Sequence, residues 1–419
     1  MDEKYKKLSL FYRMLWWDLS TDFKIDMDTY SDSEKRKKEK EFNTLIDRVI
    51  KYIESFPNDI NKRKIWRDKG NKYIDKLISI EGMFKLGIID RDMKNRFIKA
   101  TKEFIITSKK FDKEMNYEDI GQAMRNLWIV NMLQQAFGEE IKFTSAVFGY
   151  SMLYPYTDNY LDSTEIDINK KIEFNNRFTK KIRGQNITAK NYHEDKVYKL
   201  VELIEAEFER RKYPEVYNSL RLIHSGQINS LRQQENESIP YEKDILGISI
   251  EKGGASVIAD GNLIRGRMTK SEEIFAYGYG FLLQLGDDLQ DIKDDMSNNH
   301  ITLMSQLAGK YYLDSIVNKL LNLTIKVVDD AECFVCKNTV ELKELIKNNC
   351  IYMILFAVVD NKEYFTENYI NQISMYLPFT LEYCSDLKEK ISKRFERLKH
   401  EHYYKEIESI INCFLEFDF

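Results

Sequence analysis

Residues 278–300 read GYGFLLQLGDDLQDIKDDMSNNH, an apolar run that leads into Asp287, Asp288, Asp291, Asp294 and Asp295. Residues three and four apart share one face of a helix, so we expect Asp287, Asp291 and Asp295 to stack in one column with Asp288 beside it. Like charges at this spacing destabilise a helix, and either solvent or a cation must offset them. Mg²⁺ is the more specific alternative, because it binds a few carboxylates together with the oxygens of a substrate phosphate.

A second acidic stretch follows an aromatic run in residues 153–165, LYPYTDNYLDSTE. Asp158 and Asp162 are four residues apart, which places them on one face of a helix that Pro155 kinks or brings to its end. If the two acidic helices face each other, their carboxylates form a polar rim above an apolar pocket. Such a pocket suits a substrate with a charged head and an apolar tail.

The composition favours an all-α fold. The 419 residues are 43% hydrophobic and include only 5 prolines and 17 glycines, which indicates long helices with short connections. The alternating pattern of β-strands is missing. We expect one helical domain over 1–419, with supporting helices in about 1–110, the acidic motifs in about 117–310 and C-terminal helices in about 311–419.

Charge and hydropathy exclude several classes of protein. The net charge of −4 gives no basic surface for nucleic acid, and no run of eighteen apolar residues predicts a membrane-spanning helix. Arg13 and Asp18 interrupt the N-terminal apolar residues, unlike a signal peptide. Five cysteines are too few for a disulfide framework in so long a chain, and Cys333 and Cys336 form a lone pair that does not predict zinc. These features favour a cytoplasmic protein.

The two acidic stretches resemble those of a known family. Residues 278–295 resemble the second aspartate-rich motif of trans-prenyl diphosphate synthases, with Gln284, Asp287, Asp288, Asp291 and Asp295 in its positions. DNYLD (158–162) resembles the first motif, with Asn159 where Asp is usual. Lys252 in EKGGAS resembles a diphosphate-binding lysine of the family, with glycine where threonine is usual. The resemblance covers about 121–307 and implies the all-α class I isoprenoid synthase bundle with a central active-site cavity.

Within that superfamily, the motif that binds a second, nucleophilic substrate is missing before Asp158, as is the double arginine that usually follows the first motif. The chain therefore resembles bacterial prenyltransferase-like (class IB) terpene synthases. This resemblance implies an enzyme that ionises one prenyl diphosphate of fifteen to twenty-five carbons to a cyclic or linear terpene, as a monomer or homodimer. The alternatives are a prenyl diphosphate synthase that elongates with isopentenyl diphosphate, and a non-catalytic partner subunit.

The resemblance also implies the residues of the site. Three Mg²⁺ ions are expected on five catalytic aspartates: Asp158, Asp162, Asp287, Asp288 and Asp291. The expected substrate contacts are Lys252, Gln284, Arg177, Arg183 and Tyr154. The candidates that set cavity depth are Tyr154, Ser151, Val147, Leu283 and Gly280. We expect Trp16, Trp17, His224 and Gln227 to be core residues.

Overall fold

The computed structural model describes residues 3–78, 91–163, 165–234 and 242–396, together with residues 410 and 413. These residues form sixteen α-helices and no strand, which confirms the all-α prediction. The helices are α1 (Glu3–Asp18), α2 (Asp32–Glu54), α3 (Ile60–Ile78), α4 (Arg91–Phe111), α5 (Tyr117–Ala136), α6 (Ser145–Asp162), α7 (Ile168–Ile182), α8 (Tyr192–Glu207), α9 (Pro214–Ser230), α10 (Ile245–Arg265), α11 (Lys270–Gln290), α12 (Ile292–Ser297), α13 (Asp314–Asp329), α14 (Thr339–Asp360), α15 (Glu367–Ser374) and α16 (Leu381–Glu396).

Helices α10 and α11 form a hairpin at the centre of the fold. Gly266 ends α10 in the left-handed region at φ +85°, which glycine adopts without the steric cost of a Cβ. Thr269 then caps α11, and the Glu272 side chain returns to the Thr269 backbone to complete a capping box. The short turn between Gly266 and Thr269 holds the two helices side by side.

The backbones of the hairpin touch where Gly253 meets Gly280. A Cβ built on Gly253 would lie 2.3 Å from the carbonyl oxygen of Gly280, and one on Gly280 would lie 2.0 Å from that of Gly253. No side chain larger than hydrogen fits at either position. This contact sets the position of Lys252, which precedes Gly253, against Gln284, which follows Gly280 by one turn.

Two hydrophobic cores meet at α10. One combines α1, α11, α13 and α14, and the other combines α4 to α9 with Ala259 and Leu263 of α10. Trp16 is 2% exposed within the first core, as predicted, but Trp17 is 67% exposed because α1 turns it outward, so its prediction as a core residue is wrong. Helices α2 and α3 belong to a smaller cluster around Trp66, to which Ile410 and Cys413 also contribute.

None of the helices within the described ranges is long and apolar enough to cross a membrane. All five cysteines are unpaired, and four of them are buried. Both observations agree with the sequence predictions.

Candidate active site

Helices α5, α6, α7, α9, α10 and α11 line one cavity of about 700 Å³, counting the space at its mouth. The cavity brings together five of the residues expected from the sequence: Tyr154, Asp158, Lys252, Gln284 and Asp287. Its other walls are apolar and aromatic, from Leu153, Phe178, Ile182, Leu220 and Ile223. The first and second acidic stretches therefore contribute carboxylates to the same cavity, above an apolar lining.

Asp158 is held by α9. The carboxylate is largely buried, and Gln227 Nε2 donates a hydrogen bond of 2.5 Å to its Oδ1. Gln227 was expected in the core from the sequence, but its side chain lines the cavity. Gln227 lies three residues after His224, which also lines the cavity. This helical spacing is the feature of the sequence that could have predicted the position of Gln227. Asp162 ends α6, and its side chain lies outside the described residues.

The aspartates of α11 point in different directions. Asp287 lines the cavity, but Asp288 is 4% exposed and turned into the protein. Gln284 Nε2 donates to its Oδ1 at 2.9 Å and Ser249 Oγ donates to its Oδ2 at 3.0 Å. Burial raises the pKa of Asp288 to about 7, and these two bonds partly offset that rise. Both oxygens of Asp288 therefore accept hydrogen bonds from protein side chains, and Asp288 does not line the cavity that contains Asp287.

The predicted aspartate column also breaks after one turn. Helix α11 ends at Gln290, so Asp291 stands at the junction with α12. Desolvation, followed by repulsion from Asp287 and Asp295, raises the pKa of Asp291 to about 6. Asp295 turns inward, where Thr302 Oγ1 donates to its Oδ2 at 3.1 Å. Asp291 stays within electrostatic reach of Asp287, Asp294 and Asp295 at the end of α11.

Neither predicted arginine reaches this cavity. Arg177 Nε donates to the buried Glu194 at 2.9 Å, since a buried carboxylate needs a charged partner. Arg183 lines a different cavity with Arg221 and Glu251, on the other face of α9. Arg125 was not predicted as a site residue from the sequence, although its charge lowers the pKa of Asp291 and also acts on Tyr154.

A second cavity of about 1300 Å³, counting its mouth, adjoins the first. The two share a wall formed by Asn126, Tyr154, Ser256, Gln284 and Asp287. Arg125, Leu283 and Gly280 line the second cavity. Of the residues expected to set cavity depth, Tyr154, Leu283 and Gly280 therefore reach a cavity, whereas Val147 and Ser151 are fully buried in the core.

Two neutral side chains complete the polar wall. Burial raises the pKa of Tyr154 to about 12, with Asp158 adding to the rise and Lys252 opposing it. His224 Nε2 lies 2.8 Å from Thr179 Oγ1, whose own proton is donated to the Asn175 carbonyl. The histidine nitrogen is therefore the donor, and burial lowers the pKa of His224 to about 4. Both groups are uncharged at neutral pH.

The carboxylate oxygens that face the cavity supply some, but not all, of the ligands that a hard cation needs. Within the described residues, no three His, Cys, Asp or Glu side chains converge into a ready metal site. Mg²⁺ does not require one, because one or two carboxylates and the phosphate oxygens of a substrate commonly bind it. Asp158 and Asp287 face the same space, and repulsion from Asp287 raises the pKa of Asp291 while Arg125 opposes that rise. These oxygen donors fit Mg²⁺ once a phosphate is present.

No protein-family model, curated protein or solved structure matches this chain. The fold and the site define an all-helical protein with an acidic cavity above an apolar lining.

Proposed function

We propose that the chain is a class I terpene synthase that ionises one linear prenyl diphosphate of fifteen to twenty-five carbons, with Mg²⁺, and quenches the carbocation to a cyclic or linear terpene. The observation that carries the proposal is the shared cavity of Asp158, Asp287 and Lys252. It supplies carboxylates from two helices, a cation from a third and an apolar space between them. These are the needs of a substrate with a diphosphate head and a hydrocarbon tail.

The head of the substrate would bind at the polar end. Asp158, Asp287 and Asp291 would hold Mg²⁺, which neutralises the charge on the departing diphosphate. Lys252 lies in the same cavity, and Arg125 lies beside Asp287 in the adjoining one. Both cations stabilise the charge that develops on the diphosphate oxygens. Gln227 and Gln284 orient the carboxylates of Asp158 and Asp288.

The tail would lie against the apolar end, where water is excluded. Tyr150, Tyr154 and Phe178 line this space, and a desolvated aromatic face stabilises a cation by about 2 kcal/mol. The Tyr150 hydroxyl donates to the Ser256 carbonyl at 3.1 Å, which holds its ring in place. Burial keeps this tyrosine in its neutral form by raising its pKa.

One observation favours a second candidate function. The adjoining cavity shares Asp287 with the first and contains Arg125, so it offers space and charge for a second diphosphate. An enzyme using both cavities would elongate an allylic diphosphate with isopentenyl diphosphate. The missing second-substrate motif in the sequence makes this the weaker proposal. A non-catalytic partner subunit would require neither cavity to bind a substrate.

Incubation of the purified chain with C15, C20 or C25 prenyl diphosphate and Mg²⁺ tests the proposal. We expect diphosphate release and a hydrocarbon or alcohol in the organic extract from one substrate alone. A longer diphosphate formed only when isopentenyl diphosphate is added would instead establish the elongating synthase. No turnover and no binding of any of these substrates would support the non-catalytic subunit.

Two matched variants distinguish a specific effect on the site from a general effect of removing a carboxylate. Asp287→Ala removes a carboxylate from the cavity and should abolish turnover without lowering the melting temperature. Asp26→Ala removes an exposed carboxylate between α1 and α2 and should leave turnover unchanged. Chelation of the metal should abolish turnover of the wild type, and added Mg²⁺ should restore it. Full activity in Asp287→Ala would refute the metal assignment.

A further inference from the structure

His224 lines the cavity of the candidate active site from α9 and is 5% exposed. Residues three or four apart stand one turn from each other on a helix. His224 is therefore one turn from Gln227, which bonds Asp158 at the polar end of the cavity. It is also one turn from Leu220, which belongs to the apolar wall. The imidazole thus lies where the head of a bound prenyl diphosphate would give way to the tail.

One ring nitrogen of His224 is committed to the neighbouring helix. Nε2 lies 2.8 Å from Oγ1 of Thr179 on α7, a residue outside the lining of the cavity. The Thr179 hydroxyl donates its only proton to the carbonyl oxygen of Asn175, at 2.8 Å. A hydroxyl whose proton is used in this way can only accept, so Nε2 carries the proton of the neutral imidazole. Nδ1 is then the nitrogen that holds a free lone pair.

Nδ1 of His224 is buried and has no hydrogen-bond partner among the described residues. A buried acceptor without a partner costs free energy, so an orphaned ring nitrogen on the wall of a cavity indicates a role in binding or catalysis. Burial also keeps the imidazole neutral, because it lowers the pKa of His224 to about 4. The lone pair on Nδ1 is therefore available at neutral pH.

The other polar groups of the cavity are less suited to act as a base at this level. Asp158 and Asp287 would hold Mg²⁺ under the proposed function, which engages their charge. Burial keeps Tyr150 and Tyr154 in their neutral forms, and a phenol oxygen is much less basic than an imidazole nitrogen. The departing diphosphate is itself a base, but Mg²⁺ neutralises its charge at the polar end. Among the described residues of the lining, His224 is the one neutral nitrogen base.

We propose that Nδ1 of His224 accepts the proton that ends the reaction, and that the chain therefore makes an olefin rather than an alcohol. This inference rests on the proposed function. A C–H bond next to the cationic carbon breaks, its electron pair forms the new C=C bond, and the proton forms an N–H bond on Nδ1. The imidazolium then passes the proton to the diphosphate, which restores the neutral histidine. A C–H bond beside a cationic carbon is strongly acidic, so a weak base in contact with it suffices.

Product analysis of His224→Gln tests the proposal. A glutamine amide can still donate to Thr179 but has no basic nitrogen, so ionisation should continue while proton removal slows. We expect diphosphate release to persist and the ratio of olefin to alcohol to fall at least about tenfold, because a positioned base contributes about 10²–10⁴-fold. The alcohol should carry ¹⁸O when the reaction is run in H₂¹⁸O. His193→Gln is the matched control, since His193 also has an unpartnered ring nitrogen but lies outside this cavity, and it should give the wild-type products.

Chemical rescue separates the loss of a base from the entry of water into a reshaped cavity. His224→Ala leaves a space that free imidazole can fill, and it also serves as the test variant if His224→Gln does not fold. We expect added imidazole to restore the olefin share of His224→Ala and to leave the products of the wild type unchanged. An olefin share that imidazole does not raise would overturn the inference.

Failure of this inference differs from failure of the proposed function. A wild type that releases no diphosphate from any prenyl diphosphate would overturn both. Diphosphate release with an unchanged olefin share in His224→Gln would overturn the role of His224 alone. An alcohol as the main product of the wild type would do the same, and in both cases the terpene synthase assignment would stand.

Discussion

Gln227 on α9 donates a hydrogen bond from its Nε2 to Oδ1 of Asp158 on α6, at 2.5 Å. The bond joins the first acidic stretch to α9 through a side chain that we expected in the core from the sequence. The bond fixes the plane of the Asp158 carboxylate at the wall of the cavity. A side chain in this role affects the site through Asp158 rather than through the substrate.

Gln227→Leu should therefore weaken metal-dependent turnover. Loss of a partner that orients a metal-binding carboxylate typically costs about 10–100-fold in metal affinity or activity. We expect the Mg²⁺ concentration for half-maximal activity to rise by that factor, which a metal titration of turnover measures. Gln185→Ala, at an exposed side chain after α7, is the matched control. An unchanged Mg²⁺ requirement in Gln227→Leu would show that Asp158 needs no such support.

Because Gly253 and Gly280 are in contact, we expect a Gly→Ala substitution to destabilise the chain at these two positions and to stabilise it at an open position such as Gly121. Gly253→Ala and Gly280→Ala should each lower the free energy of unfolding by about 1–3 kcal/mol, because the new methyl group meets the backbone of the facing helix. Gly121→Ala in α5 meets nothing within 4 Å and should stabilise the chain by about 0.5–1 kcal/mol. Urea denaturation measures all three, and equal effects would contradict the close approach.

His224 predicts a loss of stability in mild acid. Burial lowers its pKa from about 6.5 to about 4, and Arg183 contributes to the decrease. Between these values the unfolded chain binds a proton that the folded chain does not, so stability falls as the pH falls from about 6.5 to about 4. The full effect is about 3 kcal/mol.

Urea denaturation at pH 7 and pH 4.5 of wild type and His224→Gln measures this loss. The wild type should lose more stability than the variant, and most of the difference should develop below pH 6.5. His193, whose pKa burial also lowers, is present in both proteins and does not enter the comparison. Parallel pH profiles would show that His224 is accessible to solvent protons in the folded state.

The contribution of Asp260 to stability should have the opposite pH dependence. Both carboxylate oxygens are buried without a hydrogen-bond partner among the described residues, and burial raises the pKa well above its usual value. The folded chain then holds a proton that the unfolded chain releases, so this group lowers stability as the pH rises above about 4. Asp260→Asn keeps the shape and removes the titration.

Thermal unfolding at several pH values checks this expectation. The melting temperature of Asp260→Asn should exceed that of the wild type at pH 8, and the difference should shrink towards pH 4. Asp26→Asn, at an exposed position, should follow the wild type throughout. A variant that melts lower than the wild type at pH 8 would indicate that Asp260 is charged and stabilising.

The helical fold and the pairing of the two acidic stretches were accessible from the sequence, because periodicity and motif spacing report which residues share a face. The direction in which each side chain points could not be predicted from the sequence. Asp288 and Asp287 are neighbours in sequence, yet only Asp287 lines the cavity, because Ser249 on another helix binds Asp288. Arg177 matched the expected charge, but the buried Glu194, seventeen residues later, binds its guanidinium. Such choices depend on tertiary partners that local patterns do not contain.

The backbone contact at Gly253 and Gly280 also limits how this cavity can be changed. A wall made of main chain offers no side chain to enlarge or trim, so the close approach of α10 and α11 cannot be tuned by exchanging side chains at the crossing. Alteration of the space available to a ligand must come from the facing side chains, above all Tyr154, Asn126 and Leu283. Engineering of a larger or smaller ligand pocket should therefore begin at these positions on α5, α6 and α11 and leave the glycine crossing intact.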